Sequence, residues 1–138
     1  MSDQPDEGNM KMVGTVRTFT TGATRDVEDG KLDFEGFLSP TAMKRLAEYM
    51  HKHRFQTDGK VRDSDNWQHG IPQTVYMKSA WRHFFAWWTL HRGGTVTDER
   101  DGHIVTIDEA ICGLLFNAQG YLHEQLKIGG QLPSHEGA

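Results

Sequence analysis

The sequence predicts an all-α protein: a small bundle of three main helices with an irregular N-terminal segment. Three observations lead there. Ser39-Pro40 opens an apolar-periodic run with a favoured N-cap and a proline at the first helical position. A long aromatic stretch follows Ile71-Pro72 and stops at Gly93-Gly94. Thr106 and Glu109 then form a capping box ahead of a third apolar stripe.

Taken in order, residues 1–12 are acidic and polar, bury little, and are expected to be a disordered arm. Residues 13–38 lack a helical period and read as turn-rich, with a short strand over Val13–Thr18 as the regular alternative. The first helix is placed at 40–54, with Met43, Leu46, Ala47 and Met50 on one face. Residues 56–72 form a loop. The second helix, 73–92, is apolar around most of its circumference, which suggests a central element contacted on several sides. Residues 93–105 are a polar connection. The third helix, 107–127, runs from Ile107 through Leu114 and Leu122 to Leu126, and 128–138 is a flexible tail. One helical domain over 13–127 accounts for the ordered chain.

Length and charge narrow the classes. A chain of 138 residues suits one modest core, and a formal charge of −4 is no footprint for duplex nucleic acid. Cys112 is the single cysteine, which fits a reducing cytoplasm. No apolar run approaches the roughly 20 residues that span a bilayer.

Candidate chemistry gathers on the second and third helices. Lys78 and Arg82 stack four residues apart, with His83 beside them, amid Trp81, Phe84 and Trp88. They form either a cationic notch for phosphates in an aromatic wall, or long side chains reaching for solvent over apolar stems. On the third helix Glu109, Gly113, Asn117 and Gly120 share a side. The two glycines imply close helix packing or room for a ligand. Glu109 is a candidate base or metal ligand, and Asn117 a substrate contact or a buried amide. Glu48 and Glu109 are the candidate oxygen ligands for Mg2+. In the loops, "TTGATRD" offers backbone amides and Arg25 to a phosphate, and Trp67 either caps the core or stacks on a base.

The segments "GATRD...GKLDFEGFLSP", "DNWQHGIP", "WRHFFAWW" and "EAICGLLFNAQGYLHE" together resemble a small phage family, the N-terminal domain of dATP/dGTP diphosphohydrolase. The likeness runs from residue 22 to about 126 and takes in Lys31 of the Gly-Lys pair. It implies phage or prophage origin, action in the host cytoplasm and a purine deoxynucleotide ligand. It also invites comparison with all-α MazG-type nucleotide pyrophosphohydrolases, which hold Mg2+ with paired carboxylates on their helices. Here Cys112 and Gly113 stand where a second carboxylate would fall, and the second helix carries none.

The expectation is a nucleotide-handling protein, a Mg2+-dependent diphosphohydrolase that releases pyrophosphate from dATP or dGTP. Glu109 and His83 would be catalytic, with Arg25, Lys31, Trp67, Lys78, Arg82 and Asn117 on the substrate. The alternatives are a non-catalytic nucleotide-sequestering protein and a structural module whose aromatic helix makes a homo-oligomer.

Overall fold

The computed structural model describes residues 11–13, 16–27 and 30–130. The expected arm falls outside these for residues 1–10, and the expected tail for 131–138. Chain contacts divide the protein into two compact units that meet between Leu38 and Ser39.

The first unit departs from the irregular segment predicted for it. Strands β1 (Lys11–Val13), β2 (Val16–Thr18) and β3 (Thr24–Asp26) form a three-stranded antiparallel sheet in that order. Arg17 pairs with Arg25 and Thr18 with Thr24. The β2–β3 turn closes through Phe19 N–H to Ala23 O at 2.9 Å, with Gly22 at φ 90°, a backbone state that glycine reaches cheaply. A single helical turn, α1 (Phe34–Phe37), follows, with the Asp33 carboxylate accepting from Gly36 N–H at 2.9 Å. The strand alternative weighed over Val13–Thr18 falls on the end of β1 and on β2, but β3 is too short for its alternation to register in the sequence.

The second unit is the helical bundle. Helices α2 (Pro40–Lys52), α3 (Gln73–His91) and α4 (Ile107–Ile128) lie within two residues of their predicted ends. The caps explain the agreement. Ser39 Oγ accepts from Ala42 N–H at 3.1 Å, and both halves of the Thr106–Glu109 capping box are present. α3 and α4 form an antiparallel pair: Tyr76 meets Gly120 at one end and His83 meets Gly113 further along. α2 packs on α4, where Leu46, Tyr49 and Cys112 make a buried cluster bordered by Met50 and Phe116.

Residues 66–69, expected to be loop, form one 3-10 turn that buries Trp67. Its ring lies edge-on to Phe116, with centroids 6.2 Å apart, and to His123 at 5.0 Å. Tyr76, 1% exposed, adds its ring to Phe116 at 6.1 Å and its hydroxyl donates to Trp67 O at 3.4 Å.

Across the surface, Arg45 of α2 donates to Asp108 of α4 at 2.7 Å. Both side chains are solvated, so this ion pair adds little beyond fixing the angle between the helices. Arg45→Ala is expected to lower unfolding stability by about 0.2–1 kcal/mol, read by urea denaturation, with a larger loss at low salt.

α3 is the exception to a buried centre. Tyr76 is its one fully buried residue, while Trp81 (64%), Phe85 (63%) and Trp88 (51%) stay exposed. The helix expected to be contacted on several sides is covered on one.

Candidate metal-binding hairpin

The connection between α3 and α4 is a hairpin. Thr97 bridges to Ile104, and Val105 N–H bonds to Val96 O at 2.9 Å. At its tip Asp98 N–H bonds to His103 O at 2.9 Å and Gly102 N–H to Asp98 O at 2.7 Å. Gly102 takes φ +75°, a conformation a side chain would resist. This tight reversal folds Asp98, Asp101 and His103 onto one another.

Their ligand atoms lie within 4.8 Å of each other, which makes the three side chains a candidate metal-binding group. Among the described residues it is the one grouping of three or more carboxylate, imidazole or thiol ligands that converges in this way. His103 is its hinge. Nδ1 lies 2.7 Å from Asp101 Oδ1 and Nε2 lies 2.8 Å from Glu109 Oε2. Protonated, the ring donates to both carboxylates, and the Asp101 and Glu109 hydrogen bonds raise its pKa above the ordinary 6.5. Protonated on both nitrogens, the ring has no lone pair for a metal, so a cation held by His103 would displace one of these protons.

The partners are tuned to match. Hydrogen bonds from the side chain and backbone of Arg100 hold Asp98 at about 2. Hydrogen bonds from His103 hold Asp101 below its usual range. Burial pushes Glu109 up, but bonds from His103 and Thr106 outweigh it and leave the carboxyl below the ordinary value. All three carboxylates are therefore charged at neutral pH, as metal ligands must be.

The residues singled out from sequence fall as follows. Glu109 is the fourth member of this network, and its bond to Thr106 also completes the helix cap. Glu48 is exposed on α2 and is not part of the Asp98, Asp101 and His103 grouping, so the structure does not bring the expected Glu48–Glu109 pair into it. The reason is register, since Leu46 and Tyr49 turn inward on α2 and leave Glu48 on the solvent side. His83 packs on Gly113, one turn beyond Glu109; burial, then Arg82, lowers its pKa, so its ring is neutral at pH 7. Asn117 is buried, with Nδ2 donating to Gly113 O of its own helix at 2.7 Å, which is the buried-amide alternative of the two weighed for it. Trp67 is likewise core. Lys78 and Arg82 are exposed on α3, which is the solvent-reaching alternative of the two weighed for them. Arg25 and Lys31 are exposed in the first unit.

Sequence reasoning passed over Asp98, Asp101 and His103. The available signal was Asp98-x-x-Asp101-Gly102-His103, a ligand spacing with a glycine inside it. Comparison with protein-family models, curated proteins and solved structures finds no match for this chain. No helix of the described residues is long and apolar enough to cross a membrane.

Proposed function

We propose that the protein is a divalent-cation-dependent nucleotide-handling protein that hydrolyses a phosphoanhydride of a purine deoxynucleoside triphosphate. The observation that carries this reading is the convergence of Asp98, Asp101 and His103, with Glu109 hydrogen-bonded to the imidazole. The sequence resemblance to phage dATP/dGTP diphosphohydrolase domains supplies the substrate class.

The donor set fits a divalent metal. Two carboxylates suit Mg2+, and the imidazole makes Mn2+ at least as good a match. A cation there would neutralise phosphate charge and lower the pKa of a bound water. The residues of the chain have roles around it. Asp98, Asp101 and His103 would hold the cation, and Glu109 is placed to accept a proton. Arg100 now donates to Asp98 from Nη2 at 3.1 Å. A cation sharing that carboxylate would leave the guanidinium available to a phosphate. The neutral His83 of α3, packed on Gly113 one turn along α4 from Glu109, is a further proton acceptor. Nucleotide sequestration without turnover is the second reading, favoured by the scarcity of carboxylates on α3.

Calorimetric titration with Mn2+ or Mg2+ alone is expected to show one site per chain, lost in Asp101→Asn. With dGTP or dATP and the same metal, pyrophosphate release is expected and should fall at least tenfold in Glu109→Gln. Metal-independent nucleotide binding with no pyrophosphate would favour sequestration. No metal binding to the unmodified chain would end the hydrolase reading.

A further inference from the structure

One face of the helical unit is left uncovered by that unit's own described residues. On α3, Met77, Trp81, Phe84 and Trp88 recur at spacings of four, three and four, which places them on a single stripe. All four are at least 42% exposed. On α4, Leu114 and Leu122 lie alongside. Leu114 joins Met77, Ala80, Trp81 and Phe84 in lining one groove, so the two helices present a continuous apolar surface. A second hollow, lined by Phe84, Trp87, Trp88 and His91, extends it along α3.

The groove is poorly suited to a small molecule. It holds about 240 Å3 and its lining residues are all apolar, whereas ligand pockets run to about 300–1,000 Å3 with placed polar groups. It suits a protein. An aromatic side chain buries about 150–250 Å2, so the exposed portions of Trp81, Phe84, Phe85 and Trp88 alone offer roughly 400 Å2. Adding Met77, Ile107 and Leu122, all at least 46% exposed, brings the face toward the roughly 800 Å2 per partner of a stable interface.

We infer that this face is a homodimer interface on which the α3–α4 pairs of two copies close a four-helix bundle. Three features point to a second copy. An antiparallel helix pair with apolar stripes on one side is half of such a bundle, and a two-fold axis along it makes every neighbouring pair antiparallel. The sizes are complementary, because α3 brings Trp, Phe and Met while α4 brings Leu and the small Ala118. Crossing α3 of one copy onto α4 of the other therefore sets large against small. The area also matches a self-sufficient dimer and exceeds what an isolated folded chain usually leaves open. In this arrangement Trp81 of one copy lies level with Leu114 of the other, as it does within the chain.

Sedimentation equilibrium of the full chain is expected to give twice the chain mass at micromolar concentration, with a melting temperature that rises with protein concentration. Trp81→Lys and Leu114→Glu chains are each expected to lose at least tenfold in self-association. Mixing the two variants is expected to restore the dimer, since one interface then pairs lysine with glutamate and the other is native. This rescue also separates a lost interface from a lost fold. A monomeric unmodified chain, including one whose own first 38 residues cover the face, would overturn the inference. So would a dimer that persists unchanged in both variants.

Discussion

Gly120→Ala is expected to destabilise the protein by about 1–3 kcal/mol, although the same change would strengthen an isolated helix by about 1 kcal/mol. The reversal comes from Tyr76. A Cβ at position 120 would run into the phenol ring, with the phenolic oxygen only 2.7 Å away. Tyr76 is 1% exposed and held between Phe116 and the Trp67 carbonyl, so its ring has nowhere to go. Moving it would give up the one fully buried side chain of α3, and losses of large core aromatics cost about 3–5 kcal/mol. Burial also pushes the Tyr76 hydroxyl up to about 12, so no ionisation relieves the crowding at working pH. Urea denaturation of Gly120→Ala, Tyr76→Ala and the double variant checks this. With Tyr76 already truncated, the alanine should become neutral or stabilising, a coupling of about 1–3 kcal/mol. A neutral Gly120→Ala in the unmodified background would mean that the helices do not approach this closely. Gly113→Ala should follow the same rule more mildly, because the His83 ring against it is only half-buried.

Those two glycines show what the sequence makes legible. Glycine inside a helix is costly, so a pair seven residues apart must serve close packing or a cavity. The structure chooses packing, with a ring laid into each notch. Caps were legible for a similar reason: Ser39, Thr106 and Glu109 act through bonds within four residues of sequence. What escaped depended on distant partners. Trp67 reads equally as a base-stacking or a core residue until a 3-10 turn points it at Phe116 and His123. The hairpin ligands read as a polar connection because neither Asp98 nor Asp101 has any periodicity to mark it. Only the positive φ at Gly102 brings them together with His103. Only part of the first unit's sheet was legible, as the strand alternative over Val13–Thr18; β3, at three residues, was too short to register. The aromatic richness of α3 was plain, but whether it meant burial or an open face depended on how many neighbours the chain itself supplies.

In metal-free buffer the stabilisation due to His103 should be greatest below pH 6.5 and should fade as pH rises. Its folded pKa lies above the ordinary 6.5, because Asp101 and Glu109 hold the imidazolium. The folded state therefore binds the proton more tightly, the contribution is complete below 6.5, and it is lost as pH climbs through the raised value. Two other groups shape the same curve. His83, with a lowered pKa, is destabilising below 6.5 and neutral in effect above it. Asp98, Asp101, Asp108 and Glu109, all lowered, stabilise above their ordinary values and fail only as acid takes the pH down through the depressed ones. The His103 part is isolated by the difference in melting temperature between the unmodified chain and His103→Gln, which should shrink toward zero as pH rises above 6.5. Added Mn2+ should do the opposite. It must displace the imidazolium proton, so its protection should grow with pH across that same interval and reach about 2.7 kcal/mol at a hundredfold excess over Kd. That is a shift of several degrees for a domain of this size, absent in His103→Gln. Opposed slopes with and without metal, both abolished by one substitution, would show proton and cation competing for the same carboxylates. A metal effect that is flat with pH would place the cation elsewhere.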